Sequence, residues 1–343
     1  MSLIIFGATG DLVKSKVVPA LNSLGANFLL YGRKDIQAEN YIKGELSEIK
    51  EKLNGLGITH AYIALPPIYY ELVIKELSEV NGLDHIAIEK PFGSSFSDAE
   101  KLVDLIHELK IENKIYLVDH YLGKSEMIKL LDMDTEERKK MFDSDIIDHV
   151  ELDAIETNDV DSRGAFYDHV GTIKDYVESH VLAVIANLLM QQGCEVSSTE
   201  CRQKVLEKIN FKLGSLKTAQ YEGFRNVLGV DTNSNTETAV SLDFIYDNNF
   251  PITVNVGKAL DRAEVSLNIY YKNGDKKEIN INSSKENSYE EILNDFLNNH
   301  KKFSLSYDEA TLCWKITEEI LKEKVGKTPS IYKKGSDIIN IWK

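Results

Sequence analysis

SLIIFGATGDL, residues 2–12, runs an uninterrupted apolar stretch into a glycine-bracketed turn and then into a helical pattern, DLVKSKVVPALNSL (11–24). An apolar run without polar alternation reads as a strand covered on both faces, and a helix following it directly opens a β–α–β unit. The alternation repeats. NFLLYG (27–32) precedes charged ENYIKGELSEIKEKL (39–53), THAYIAL (59–65) precedes PPIYYELVIKELSEV (66–80), DHIAIEK (84–90) precedes FSDAEKLVDLIHEL (96–109), and KIYLV (114–118) closes the series. Strands of this kind, each leading to an amphipathic helix, predict an α/β Rossmann-type doubly wound parallel sheet.

Beyond about residue 147 the pattern changes. DHVELDAIE (148–156), AVSLDFIY (239–246), PITVNVGKAL (251–260), AEVSLNIYY (263–271) and KKEININ (276–282) read as strands without long helices between them. The last four follow through short turns, which predicts antiparallel pairing in sequence order. The longest helical pattern is DHVGTIKDYVESHVLAVIANLLM (168–190), and charged DMDTEERKKMFDSD (132–145) reads as a surface helix or loop. The expected organisation is a nucleotide-binding domain over residues 1–125 and a C-terminal α+β domain with a mainly antiparallel sheet over 126–343.

The 343 residues carry 40 Lys and Arg against 55 Asp and Glu, a formal net charge of −15. That field repels nucleic acid and anionic membranes, so neither is expected as a partner; an anionic small molecule requires lysines gathered locally. Cys194, Cys201 and Cys313 form no CxxC pair and read as free thiols in a reducing compartment. The chain enters its first strand directly, and no apolar run approaches a membrane span, so a cytoplasmic location is expected. No metal site is expected.

In GATGDL (7–12), Gly7 and Gly10 let the backbone approach a pyrophosphate, with Thr9, Asp11 and Leu12 completing the turn into the helix N-terminus. The pattern is G-x-x-G, so the dinucleotide fingerprint is only partly met. Where NAD enzymes tend to place an acidic residue after the second strand, this chain has Arg33 and Lys34. Two cations there suit the 2′-phosphate of NADP, with NAD as the alternative; they also suit a plain exposed loop.

Two further strands end in chemistry. DHIAIEKPFG (84–93) places Lys90 at a carboxyl strand end, where it points into a ligand crevice or snorkels at the sheet edge, and Pro91 after it suits a cis bond. VDHYLGK (118–124) ends its strand in Asp119, His120 and Tyr121, with Lys124 close behind. Asp175 and His180 lie five residues apart, some 140° around an ordinary α-helix at ~100° per residue.

GATGDLVKSKVVPAL, EKPFG, VDHYLGK, RGAFYDHVGTIKDYVESH, AQYEGF and VGKAL occur in the order seen in glucose-6-phosphate dehydrogenases, and the chain resembles that family from Gly7 to YKKGS (332–336). The resemblance implies oxidation of C1 of a hexose 6-phosphate to the lactone. His180 matches the family's base, and an imidazole with an unperturbed pKa of ~6.5 suits removal of the C1 hydroxyl proton. Asp119 matches the aspartate that holds it. His120, Tyr121 and Lys124 match phosphate-binding residues, and Lys258 in VGKAL matches another phosphate-side cation. Lys16 and Lys90 match substrate-contacting lysines, and Glu156 and Asp175 match carboxylates that accept hydrogen bonds from sugar hydroxyls. A homodimer is expected by the same resemblance.

The chain also departs from the family. It is much shorter and lacks the IQPDE block, so a second, structural NADP, which some relatives bind in that region, is not expected; it also has Ser15 where an Arg or Lys is usual. Arg262 takes no assigned role, and His169 has no family counterpart. Two other readings stand beside the first: oxidation at another ring carbon, as in inositol-dehydrogenase-like enzymes, and a non-catalytic binding subunit.

Overall fold

The computed structural model describes residues 2–190, 199–247, 250–281 and 288–343. It forms two compact units, residues 1–123 with 286–311 and residues 124–285 with 312–343.

In the first unit β1 (Leu3–Phe6), β2 (Phe28–Gly32), β3 (Tyr41–Lys43), β4 (His60–Ile63), β5 (His85–Glu89) and β6 (Ile115–Val118) pair in parallel in the order β6-β5-β4-β1-β2-β3. The order reverses beside β1, which opens a crevice at the carboxyl ends of β1 and β4, where doubly wound sheets bind their ligands. Every residue of β1, β4 and β6 is buried, as their unbroken apolar pattern predicts. The helix Phe96–Leu109 begins where the Ser95 side chain accepts the Asp98 N–H at 3.2 Å, and ends on Lys110 in the left-handed region. Ala99, Leu102, Leu105 and Ile106 form its buried stripe.

Two features depart from expectation. Tyr41–Lys43, inside a segment read as charged and helical, is a strand on the edge of β2. Residues 33–40 form no helix, so β2 keeps an open edge for this strand to pair with. The chain also returns to this unit after the second sheet. Helix Ser288–Leu297 buries Tyr289, Ile292, Leu293 and Phe296 and packs on helix Val18–Ser23, and Ser304–Leu305 pairs antiparallel with β6. The division at residue 125 thus misses a late segment of the first unit, because the apolar face that receives it is remote in sequence.

In the second unit β7 (Ile147–Ile155), β8 (Ile209–Phe211), β9 (Lys217–Tyr221), β10 (Ala239–Tyr246), β11 (Phe250–Gly257), β12 (Glu264–Tyr271) and β13 (Lys276–Asn280) build a sheet ordered β13-β12-β7-β11-β10-β9. Ser330–Tyr332 adds in parallel beside β9, and β8 pairs with β10. The predicted hairpins β10–β11 and β12–β13 form. The predicted β11–β12 pairing does not: β7 lies between them, parallel to β11 and antiparallel to β12. The last four residues of β7 are all buried, and an interior position satisfies both edges of its backbone.

The long helical pattern is also not one helix. Gly164–Thr172 breaks at Gly171 (φ 66°, ψ 174°), Ile173–Val181 is wound in wide i→i+5 turns, and Leu182–Leu188 is α-helical. Cys201 is disulfide-bonded, which overturns its reading as a free thiol; three cysteines without a spacing signature gave no sign of the pairing. Cys313 is buried and not part of a disulfide, and Cys194 lies outside the described residues. Among the described residues no helix is long and apolar enough to cross a membrane.

Candidate active site

The turn after β1 requires glycine by contact. Gly7 has φ +91°, and a Cβ built on it would lie 2.2 Å from the Ala64 carbonyl oxygen at the end of β4. The Gly10 N–H closes the turn on the Gly7 carbonyl at 2.8 Å. Thr9 is half-buried and Asp11 exposed, and Leu12 caps a single wide turn, Val13–Val17, that carries exposed Lys16. Such turns recur at functional sites. Past β2, the exposed Arg33 guanidinium lies over the Tyr69 ring at 5.5 Å. The close backbone cradle lies at the reversal of strand order, where such sheets bind dinucleotides.

The Lys90–Pro91 peptide is cis, as its sequence context suggests. Beside it Glu89, treated in the sequence only as a strand end, is buried at the end of β5. The Tyr62 hydroxyl donates to its Oε1, Tyr289 hydrogen-bonds the same carboxyl, and the Tyr70 hydroxyl donates to its carbonyl at 2.9 Å. Burial, reinforced by the charge of Asp119, pushes this carboxyl up to about 7, against the lowering effect of its hydrogen bonds. The only sequence signal for it was an acidic residue ending a strand otherwise too apolar to tolerate one.

After β6, Asp119 is 1% exposed and its Oδ1 accepts the Tyr121 N–H at 2.9 Å. The half-buried His120 ring lies edge-on to Tyr121 (5.0 Å, 62°) and stacks on Tyr289 (5.5 Å, 14°). Gly123 lets the chain pass helix Ser288–Leu297, since a Cβ there would come within 2.5 Å of the Ser288 carbonyl oxygen.

In the second unit three predicted residues converge. Lys258 Nζ pairs with Glu156 Oε2, lies 3.6 Å from Asp175 Oδ2, and stands 5.4 Å above the Tyr167 ring. The neighbouring strand ends β7 and β11 supply Glu156 and Lys258, with the Glu156 N–H donating to the Gly257 carbonyl at 2.9 Å. The Tyr332 hydroxyl donates to the Lys258 carbonyl at 2.6 Å, fixing the turn. Arg163, which was not singled out in the sequence, reaches Asp175 at 3.4 Å. Lys258 was matched to a phosphate-side cation; here it is shared by two carboxylates. Lys124 caps helix Ser125–Leu131. Arg262 is taken up by Asp261, Glu264 and Asp337.

His180 and Asp175 share the wide-turn helix, where Tyr176 meets the His180 ring edge-on at 5.7 Å. The 140° separation expected of an α-helix does not apply. In turns closed by i→i+5 hydrogen bonds, as from the Leu182 N–H to the Val177 carbonyl, residues five apart stack on one face. Glu237, invisible to sequence reasoning, caps this helix: its Oε1 accepts the Ile173 N–H at 3.1 Å, and Lys324 pairs with it.

Family models match two segments: "Glucose-6-phosphate dehydrogenase, NAD binding domain" over residues 27–129 and "Glucose-6-phosphate dehydrogenase, C-terminal domain" over 137–287. Glucose-6-phosphate 1-dehydrogenase of Chlamydia muridarum is 26% identical over 352 residues, covering 79% of this chain and 69% of that protein. The cytoplasmic glucose-6-phosphate 1-dehydrogenase 6 of Arabidopsis thaliana is 27% identical, covering 79% and 67%. Among solved structures, glucose-6-phosphate 1-dehydrogenase from Mycobacterium avium superposes with a TM-score of 0.84 at 22% identity, covering 98% of this chain and 94% of that one. A glucose-6-phosphate dehydrogenase in complex with glucose 6-phosphate does so with 0.84 at 21% identity, covering 99% and 96%. With both domain models of one family matched in order, the fold shared and the motif blocks in register, the chain belongs to the glucose-6-phosphate dehydrogenase family.

Proposed function

We propose that the protein oxidises C1 of glucose 6-phosphate, or of a closely related hexose 6-phosphate, to the lactone using NADP. The observation that carries this reading is the Glu156–Lys258–Asp175 cluster together with His180, one wide turn from Asp175 on the same helix face. Two carboxylates held by one ammonium present acceptor oxygens to sugar hydroxyls while the ammonium offsets part of their charge. His180 Nε2 or Nδ1 takes the proton of the C1 hydroxyl as the C1–H bond breaks, and Asp119 orients and stabilises the imidazolium that forms. His120, Tyr121 and Lys124 bind the phosphate, and Lys16 and Lys90 position the sugar. When bound, the dinucleotide supplies the hydride acceptor; Gly7, Thr9, Gly10, Asp11 and Leu12 hold its pyrophosphate, and Arg33 its 2′-phosphate. The family reading also carries a homodimer, which sedimentation velocity would test.

The deciding experiment is reduction of NADP+ and NAD+ by a panel of hexose phosphates, with product identification. An aldonate phosphate formed through the lactone supports the reading, whereas a keto sugar or no turnover refutes it. His180→Asn should lower kcat by about 10²- to 10⁴-fold. Near-normal turnover in that variant would remove His180 as the base.

A further inference from the structure

We propose that Glu89 is a proton-sensitive positioning residue for the phosphate end of the substrate, acting through Tyr289 on His120. This rests on the assignment of His120 to the phosphate above. The geometry is a relay within the first unit. Glu89 ends β5, Tyr62 reaches it from β4, Tyr70 from helix Tyr70–Ser78, and Tyr289 from helix Ser288–Leu297. Tyr289, 3% exposed, hydrogen-bonds the carboxyl through its hydroxyl and stacks its ring on His120 (5.5 Å, 14°), so one phenol touches both groups.

The titratable and charged groups around the carboxyl are Tyr62, Tyr70 and Tyr289, Asp119 from the end of β6, and Lys90, whose backbone N–H donates to it. Burial also drives the Tyr62 and Tyr289 hydroxyls well above their ordinary range, so both stay protonated. The group in this cluster that changes charge near neutrality is Glu89, which burial raises to about 7. Protonated, it leaves Asp119 as the local negative charge. Ionised, it adds a second, behind the ring that supports His120, and opposes a phosphate dianion. Burial is the main reason Glu89 holds its proton, and the neighbouring charge of Asp119 adds to it.

The test is KM for glucose 6-phosphate from pH 6 to 9 in wild type and Glu89→Gln, with inhibition by inorganic phosphate measured in parallel. The amide copies the protonated carboxyl and cannot ionise. The wild-type to Glu89→Gln ratio of KM should be near 1 at pH 6 and rise to about three- to tenfold above pH 8, with the phosphate inhibition constant following it. Titration of the phosphate itself cancels in the ratio. Tyr289→Phe keeps the stacked ring but removes a donor that lowers the carboxyl pKa, so the rise should move to higher pH. A pH-independent ratio, or a rise unmoved in Tyr289→Phe, overturns the proposal while leaving glucose 6-phosphate oxidation standing. Absence of turnover by wild type with any hexose phosphate overturns the functional reading, and this inference with it.

Discussion

Gly171→Ala tests how the helix that carries Asp175 and His180 is held. Gly171 sits at φ 66°, ψ 174°, a region essentially restricted to glycine, so alanine costs about 1–3 kcal/mol in backbone strain alone. Its Cβ would also lie 2.5 Å from Glu237 Oε1, 2.9 Å from Cδ and 3.1 Å from Oε2. Glu237 is fully buried, and its carboxylate cannot retreat without releasing the Ile173 N–H. Losing that charged hydrogen bond adds about 1–3 kcal/mol; the Lys324 pair is discounted because the lysine is partly exposed. The backbone of Glu237 is tied in as well, its carbonyl accepting from the Thr172 N–H at 3.2 Å and the Thr172 hydroxyl at 3.1 Å. The sum is about 2–6 kcal/mol. Guanidinium denaturation followed by far-ultraviolet circular dichroism should show the second unit destabilised by that amount. Turnover should fall more than substrate affinity, because His180 rides on this helix. Glu237→Gln, which keeps the shape and loses the charge, should fall between wild type and Gly171→Ala. A Gly171→Ala variant within ~0.5 kcal/mol of wild type, with unchanged kcat, would refute the argument that Glu237 and Gly171 interlock.

Three other outcomes are expected. Lys258→Met leaves Glu156 and Asp175 without their shared cation, so KM for the sugar phosphate should rise about 10- to 100-fold while KM for NADP+ stays within about twofold; an unchanged sugar-phosphate KM would exclude Lys258 from the sugar site. Arg33→Ala should weaken NADP+ by about tenfold or more and NAD+ hardly at all, and equal effects would end the case for a 2′-phosphate site. The His60 and His85 rings lie 4.6 Å apart at a tilt of 31°, and burial lowers both imidazoles. The native state therefore binds fewer protons than the unfolded chain as pH falls below ~6.5, and their contribution to stability is lost on acidification. His85→Phe should gain on wild type between pH 7.5 and 5.5, by at most about 1 kcal/mol after screening; a stability difference independent of pH would show that His85 titrates normally.

Elements with an unbroken local signal were legible before any fold was known. β1, β4, β5 and β6 lie where SLIIF, HAYI, HIAIE and IYLV place them, because a strand buried on both faces can contain little but apolar residues. The sequence by itself also determined the chemistry at the strand ends: polar and charged groups after such runs had to face a ligand crevice or solvent, which singled out Lys90 and Asp119–Tyr121. What only the tertiary structure decided were the matters set by distant partners. β7 enters between β11 and β12, and helix Ser288–Leu297 returns to the first unit, because each covers a surface built from other parts of the chain. Glu89 was a strand end until Tyr62, Tyr70 and Tyr289 closed around it. Periodicity placed Asp175 and His180 on different faces by assuming α-helical winding. The break at Gly171 against Glu237 and the wide turns after it bring them to one face, since hydrogen-bond register, which single residues do not encode, sets the angle between them.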